Sequence, residues 1–248
     1  MSKNTQFTFF EHLEELRKRL IISFGAITLG GLASYCYSDK LLHFLLLPIR
    51  KEINQVYFFS PADAFMVRIK IALLAGLILA SPIVAGQIWL FISPALYERE
   101  KKFIPPLIIL TSGLFIAGAL FSFFFVVPLT LQFFMSMQTE FLRPMISINE
   151  CISFLSGILL AFGVAFNLPI FVMGFVLVGV FDTTLLNKFQ RHVIVLIFIL
   201  AAALTPGPDI ASQLFLAVPL IILFELSVLG AWVIELFRKK DQKRLEYV

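Results

Sequence analysis

FFEHLEELRKRLIISFGAITLGGLASYCY, residues 9–37, changes character at one point. Up to Arg19 it mixes glutamates and bases with leucines, and from Leu20 to Tyr37 it holds eighteen residues without a single charge. A helix needs about 20 apolar residues to cross the hydrocarbon core of a bilayer, so the second part reads as a membrane span. The first part poses the question of what a charged helix does at the head of such a span.

Further runs follow. The chain has 248 residues, 59% hydrophobic and 15% charged, with a mean hydropathy of +0.93. Soluble domains carry about 25% charged residues, so this is an integral membrane protein. After 20–37 the apolar runs are 69–92, 103–134 and 152–180, and apart from Lys70 at the head of the second none contains a charge. A fifth run, 193–204, stops after twelve residues at Thr205-Pro206-Gly207-Pro208-Asp209, and a sixth extends over 210–237. Twelve residues rise only about 18 Å against a core of about 30 Å. The fifth element is therefore expected to be a short span in a thinned bilayer or half of a re-entrant hairpin. The predicted fold is an all-α membrane protein, one polytopic domain over 1–248, with six kinked transmembrane helices and the last two short.

Orientation follows from the bases. With the N-terminus inside, 14 lysines and arginines fall on the inner segments and 6 on the outer ones. The positive-inside rule then places both termini in the cytoplasm. The net charge of +4 reflects this bias and calls for no nucleic acid, while the basic tail suits anionic lipid. The N-terminal stretch is not read as a cleavable signal peptide, because its charged part is long and amphipathic. Cys36 and Cys151 both fall on the oxidising side, which permits a disulfide, although free thiols of membrane helices ordinarily serve as small apolar residues. His12, His43 and His192 are scattered over both sides, so no metal site is expected.

The longest polar stretch, residues 38–68, contains LLHFLLLPI at 41–49, too short to span and suited to an interfacial helix on the outer surface. Ser60-Pro61-Ala62-Asp63 supplies an N-cap, a proline at the first turn and an early acid, a strong helix start. Pro82, Pro128, Pro169 and Pro219 fall inside apolar runs, where each removes a backbone hydrogen bond and bends its helix. They shape the bundle, or form a concave wall or hinge.

In the charged stretch, Thr8-Phe9-Phe10-Glu11 fits a capping box. Glu14 faces Lys18 and Glu15 faces Arg19 at i, i+4, acids first, an order that suits the helix dipole. One reading is an interfacial anchor. The other needs a second acid at the same depth, and Pro94-Ala95-Leu96-Tyr97-Glu98-Arg99-Glu100-Lys101-Lys102 provides it. Glu15 and Glu100, brought together, suit two guanidinium groups, which bind carboxylates bidentately as an ammonium cannot.

The chain is similar to the TatC family, the multispanning receptor subunit of the twin-arginine protein translocase. The resemblance covers nearly the whole chain and is carried by HLEELRKRL at 12–20, Leu47-Pro48, Ser60-Pro61 with Phe65, and SPIVAGQIWLFISPALYEREKK at 81–102. It continues through Phe162-Gly163, Phe166 to Pro169, Thr205-Pro206 with Pro208-Asp209, Gln213, and Pro219 to Glu225. It implies a receptor in the bacterial inner membrane that binds Arg-Arg signal peptides and works with TatA, and often TatB, to export folded proteins with the proton-motive force. In that pattern Glu15 and Glu100 match the arginine-recognising acids, and Arg17 and Arg19 match basic positions on the same helix. Phe91 and Leu96 match their apolar neighbours, and Pro48 and Asp209 belong to the outer cap. Two departures stand out: Asn167 replaces a glutamate of many relatives, and Gly207 separates the two prolines of the last turn.

Glu225 lies near the middle of the sixth run, where an ionised carboxylate costs at least about 2.5 kcal/mol. It is expected to pair with an inward Gln or Asn, or to serve a proton-linked or partner-binding role. An intramembrane Ser/His or Ser/Lys pair, facing aspartates and HExxH are all missing from the sequence, so the chain is read as no enzyme, and no cofactor is implied. The rival function is a proton- or ion-coupled small-solute transporter. Glu225, Asn167, Gln87 and Gln213 are its candidate intramembrane polar groups, and the lack of an internal repeat weighs against it.

Overall fold

The computed structural model describes residues 9–50, 56–95, 101–138, 145–178, 183–205 and 210–246. Helix α1 is Phe9–Tyr35, so the charged stretch and the first apolar run form one continuous helix. Next come α2, Ser38–Leu45, and α3, Leu47–Arg50. Together they fold back at 90° to α1. This is the expected surface helix, and its apolar side is pinned by Leu45, Leu46, Pro48 and Ile49, all buried.

Helix α4, Asp63–Ile92, begins six residues before its apolar run. The helix starts two residues after Pro61, so Ser60 is not its N-cap; that position is Ala62, which carries no side-chain cap. Ser60 Oγ accepts from the Ala62 N–H, and the Asp63 carboxylate reaches back to the N–H groups of Phe59 and Ser60. These bonds order the turn ahead of the helix, with Asp63 making only the reach-back half of a capping box.

The third span, Ile104–Ser136, is α5, Ile104–Phe121, a π-helical turn over Ser122–Val126, and α6, Val127–Ser136. The π turn lies just before Pro128, where the missing N–H and the ring would otherwise break the α-helical ladder. The fourth run is likewise divided, into α7, Ile148–Ala165, and α8, Leu168–Val178, by a turn at Phe166-Asn167 ahead of Pro169.

Helix α9, Thr183–Leu204, has 22 residues and begins ten before its apolar run. A helix of that length rises about 33 Å, so the shortness belongs to the apolar part, its first turns being polar. Helix α10, Ile210–Glu246, carries the sixth run and the basic tail. Among the described residues five helices are long and apolar enough to cross a membrane, and α1 with its bent cap makes a sixth if the pair is taken as one span. Among the described residues there is no strand, only an isolated bridge of Tyr57 to Ser147 that ties two cap loops together.

Helix α7 is the axis of the bundle. Ile152, Leu155, Ile158 and Phe162 are fully buried against α4 and α5. Across α1 and α4 the backbones themselves meet: a Cβ on Gly76 would lie 2.7 Å from Gly31 Cα. Helices in lipid gain nothing from excluding water from each other, so close approach through small residues is what holds such a pair. Cys36 is exposed at the end of α1 and Cys151 is buried in α7, and both are free thiols.

Candidate functional site

Helices α1 and α4 run antiparallel, and the glycine contact at their middle sets the register of everything beyond it. Toward the N-terminus of α1, Arg19 comes opposite Gln87 and His12 opposite Phe91. His12, Glu15 and Arg19 share one face of α1, and Gln87 and Phe91 share the facing side of α4 at i, i+4. Leu13 and Leu20 point away and are exposed.

The centre of this charged end is a guanidinium. Arg19 Nη2 donates to Glu15 Oε1 and Nη1 donates to Gln87 Oε1, each at 3.1 Å. The Glu15 and Arg19 side chains are 20% and 25% exposed, neither in bulk water nor sealed away. His12 and Phe91 stack with ring centroids 4.4 Å apart and close one side. Arg17 and Lys18 are exposed. Of the two expected i, i+4 pairs, Glu15–Arg19 forms, whereas Glu14 and Lys18 make no ion pair. Both of those side chains are exposed, where a salt bridge gains little over water. Thr8, Leu96, Glu100 and Asp209 lie outside the described residues. The described residues on either side of 96–100 are short 3-10 helices at Ser93–Ala95 and Lys101–Phe103.

The other polar candidates do not converge. Gln87 is engaged with Arg19. Gln213 donates to the Phe198 carbonyl at 2.7 Å, across the α9–α10 hairpin. Glu225 accepts a short hydrogen bond from Gln190 Nε2 farther along the same hairpin, an amide partner of the expected kind. Asn167 donates to the Gly163 carbonyl at 3.0 Å, which lies in the last turn of α7. Its buried Oδ1 has no partner among the described residues. Four side chains with four separate local partners do not make the shared midplane site that solute transport needs.

Three contacts escaped the sequence reading. Trp89, buried, donates to Thr111 Oγ1 at 2.9 Å and stacks on Phe171, tying α4 to α5 and α8 just below the charged end. His12 is the second. Lys70 is the third, with Nζ donating to Asn149 and Ser153 at 2.6 Å each at the cap end. Its place at the head of an apolar run was the available signal, because a cation there needs acceptors from a neighbouring helix.

These features define a polytopic helical membrane protein with an acid, a guanidinium and an amide clasped where its first two spans meet at one end. The family described as TatC, Sec-independent protein translocase protein, matches residues 11–219. The chain is 42% identical over 221 residues to the Sec-independent protein translocase protein TatC of Carboxydothermus hydrogenoformans, covering 89% of this chain and 91% of the relative. It is 37% identical to the protein of the same description from Desulforapulum autotrophicum, covering 96% and 88%. A solved structure described as Twin Arginine Translocase Receptor TatC superposes with a TM-score of 0.84 at 35% identity, over 91% of this chain and 100% of that one. The chain belongs to the TatC family. It is a multi-span membrane subunit of a Sec-independent, twin-arginine protein translocase, working with other subunits of that system.

Proposed function

We propose that the charged end is a receptor site for Arg-Arg signal peptides, with Glu15 one of its acids and Glu100 the other. The observation that carries this is the seated guanidinium: the α1–α4 pair already holds one between Glu15 and Gln87. Arg17 and Arg19 balance the acids, and Phe91 and Leu96 flank the site for the apolar residues that follow the arginines. The apolar segment of the peptide then inserts along the kinked bundle.

The distribution of lysine and arginine supports a cytoplasmic charged end, with both termini on the cytoplasmic side of the bacterial inner membrane. A chain of this size is too small to enclose a passage for a folded domain, so TatA and, where it exists, TatB supply it, driven by the proton-motive force. Several copies of this chain join them in the complex. The partners dock along α9 and α10. Only 11% of the α9 span is buried within the chain, against 44% for α4, which leaves an apolar helix free for other helices and lipid. Pro48 and Asp209 belong to the cap end, where docking is coupled to the rest of the fold.

The test is binding of a synthetic Arg-Arg signal peptide and its Lys-Lys counterpart to the protein in nanodiscs, repeated with Glu15→Ala and Glu100→Ala. Each alanine variant, and the lysine peptide, should lose tenfold or more in affinity, as about 1.4 kcal/mol of a charge-assisted bond requires. Equal binding in all four cases would return α1 to the role of an anchor.

A further inference from the structure

Arg19 is the least complete contact of the charged end. Its bond to Glu15 is end-on, one nitrogen to one oxygen at 3.1 Å, where paired guanidinium and carboxylate groups commonly make two parallel bonds of about 2.7–2.9 Å. Its Nε is buried and meets no acceptor among the described residues, an arrangement that is disfavoured. Glu15 is therefore occupied but not saturated. Gln87 accepts from a different nitrogen of Arg19, so Arg19 has a second seat that does not depend on Glu15.

Resting on the reading that Glu15 receives a peptide arginine, we propose that Arg19 is the resting occupant of that site. Peptide binding is then an exchange of one guanidinium for another. Gln87 is the positioning residue that keeps Arg19 in place when it leaves Glu15. The resting contact spares the protein an unpaired, half-buried carboxylate before the peptide arrives. It also sets specificity. An arriving arginine can offer Glu15 the two parallel bonds that Arg19 does not make, and so displaces it. A lysine offers a point charge without the planar fork and competes poorly. Part of the preference for arginine over lysine thus comes from the occupant that each must displace.

The experiment uses the full chain in nanodiscs with the Arg-Arg and Lys-Lys peptides. Arg19→Gln should tighten Arg-Arg binding about three- to tenfold and narrow the gap to Lys-Lys, the range expected for a partly exposed ion pair with one further bond. Arg19→Lys keeps a cation on the helix and should move both quantities the same way by less, which guards against misfolding of the neutral variant. Gln87→Ala should weaken Arg-Arg binding about threefold in the otherwise unchanged chain and have no effect in the Arg19→Gln background, since coupling is confined to groups that interact. Weaker or unchanged binding by Arg19→Gln, while Glu15→Gln abolishes binding, would overturn the exchange and leave the receptor site standing. Equal losses from Gln87→Ala in both backgrounds would make Gln87 a packing residue and overturn its part. Full binding by Glu15→Gln would overturn the receptor site and the exchange with it.

Discussion

The two helical hairpins at the edges of this bundle are closed in different ways. Helices α1 and α4 meet backbone to backbone at Gly30, Gly31 and Gly76. Helices α9 and α10 are stitched across by side chains, Gln213 to the Phe198 carbonyl and Gln190 to Glu225. The first closure is rigid because nothing at the contact can rotate out of the way. The second adds these two side-chain hydrogen bonds to the packing of Ile197 and Ala201 of α9 with Leu216 and Leu220 of α10 in the core. A site that must hold a guanidinium to within an ångström belongs beyond the rigid contact, and the clasp of Glu15, Arg19 and Gln87 is found there. On the proposal that partner helices dock at this hairpin, α9, with only 11% of its span buried against 33% for α10, is the helix open to them.

Gly76→Leu is the most severe way to break this contrast. A side chain at Gly76 would run into the backbone of Gly30 and Gly31, which cannot swing aside. The expected cost is about 3 kcal/mol or more in denaturation by SDS from mixed micelles. Peptide binding should fall with it, because the register that sets Arg19 opposite Gln87 is lost. Gly113→Ala is the control: nothing lies within 4 Å of a Cβ there, and neither stability nor binding should drop. A tolerated Gly76→Leu would show that the close contact does not hold the pair.

The apolar stretches of the helices and the surface helix at 41–49 were legible in the sequence because hydrophobicity is a local signal, whereas α4 starts two residues past the expected Pro61. The clasp was legible only in part. Glu15–Arg19 is an i, i+4 pair and can be read along one helix. Gln87 meets Arg19 only because Gly76 meets Gly31, a tertiary register that no local pattern carries. The same holds for Lys70, whose acceptors Asn149 and Ser153 stand on another helix. Helix α9 starts ten residues before its apolar run because a helix continues through polar residues while its backbone bonds are satisfied, whereas hydropathy registers only the apolar part.

Gln190 and Glu225 give a smaller effect, on the other hairpin. Replacing either by leucine leaves its partner without the bond shown here. Each single change should cost about 1 kcal/mol, and the double change less than the sum, as interhelical hydrogen bonds in membranes are worth about 0.6–2 kcal/mol. Strict additivity would mean that the two side chains do not sense each other. Arg-Arg peptide binding should survive all three variants, while co-purification with TatA should change if this hairpin is the docking surface.

Gln213→Leu tests the weakest stitch. Its bond to the Phe198 carbonyl joins a side chain to a backbone oxygen in the helix opposite. That oxygen lies within α9, Thr183–Leu204, where it also serves the helical ladder and keeps a donor when the amide is gone. The loss should therefore be about 0.6 kcal/mol or less, below the cost of orphaning the part-buried Glu225 carboxylate. Hydrogen exchange should report it as faster opening confined to the cap-side turns of α9 and α10, with the amides of α1 and α4 unchanged. If exchange instead quickened at Arg19 and Gln87, the two hairpins would be mechanically linked through α7, and their different closures would be parts of one device.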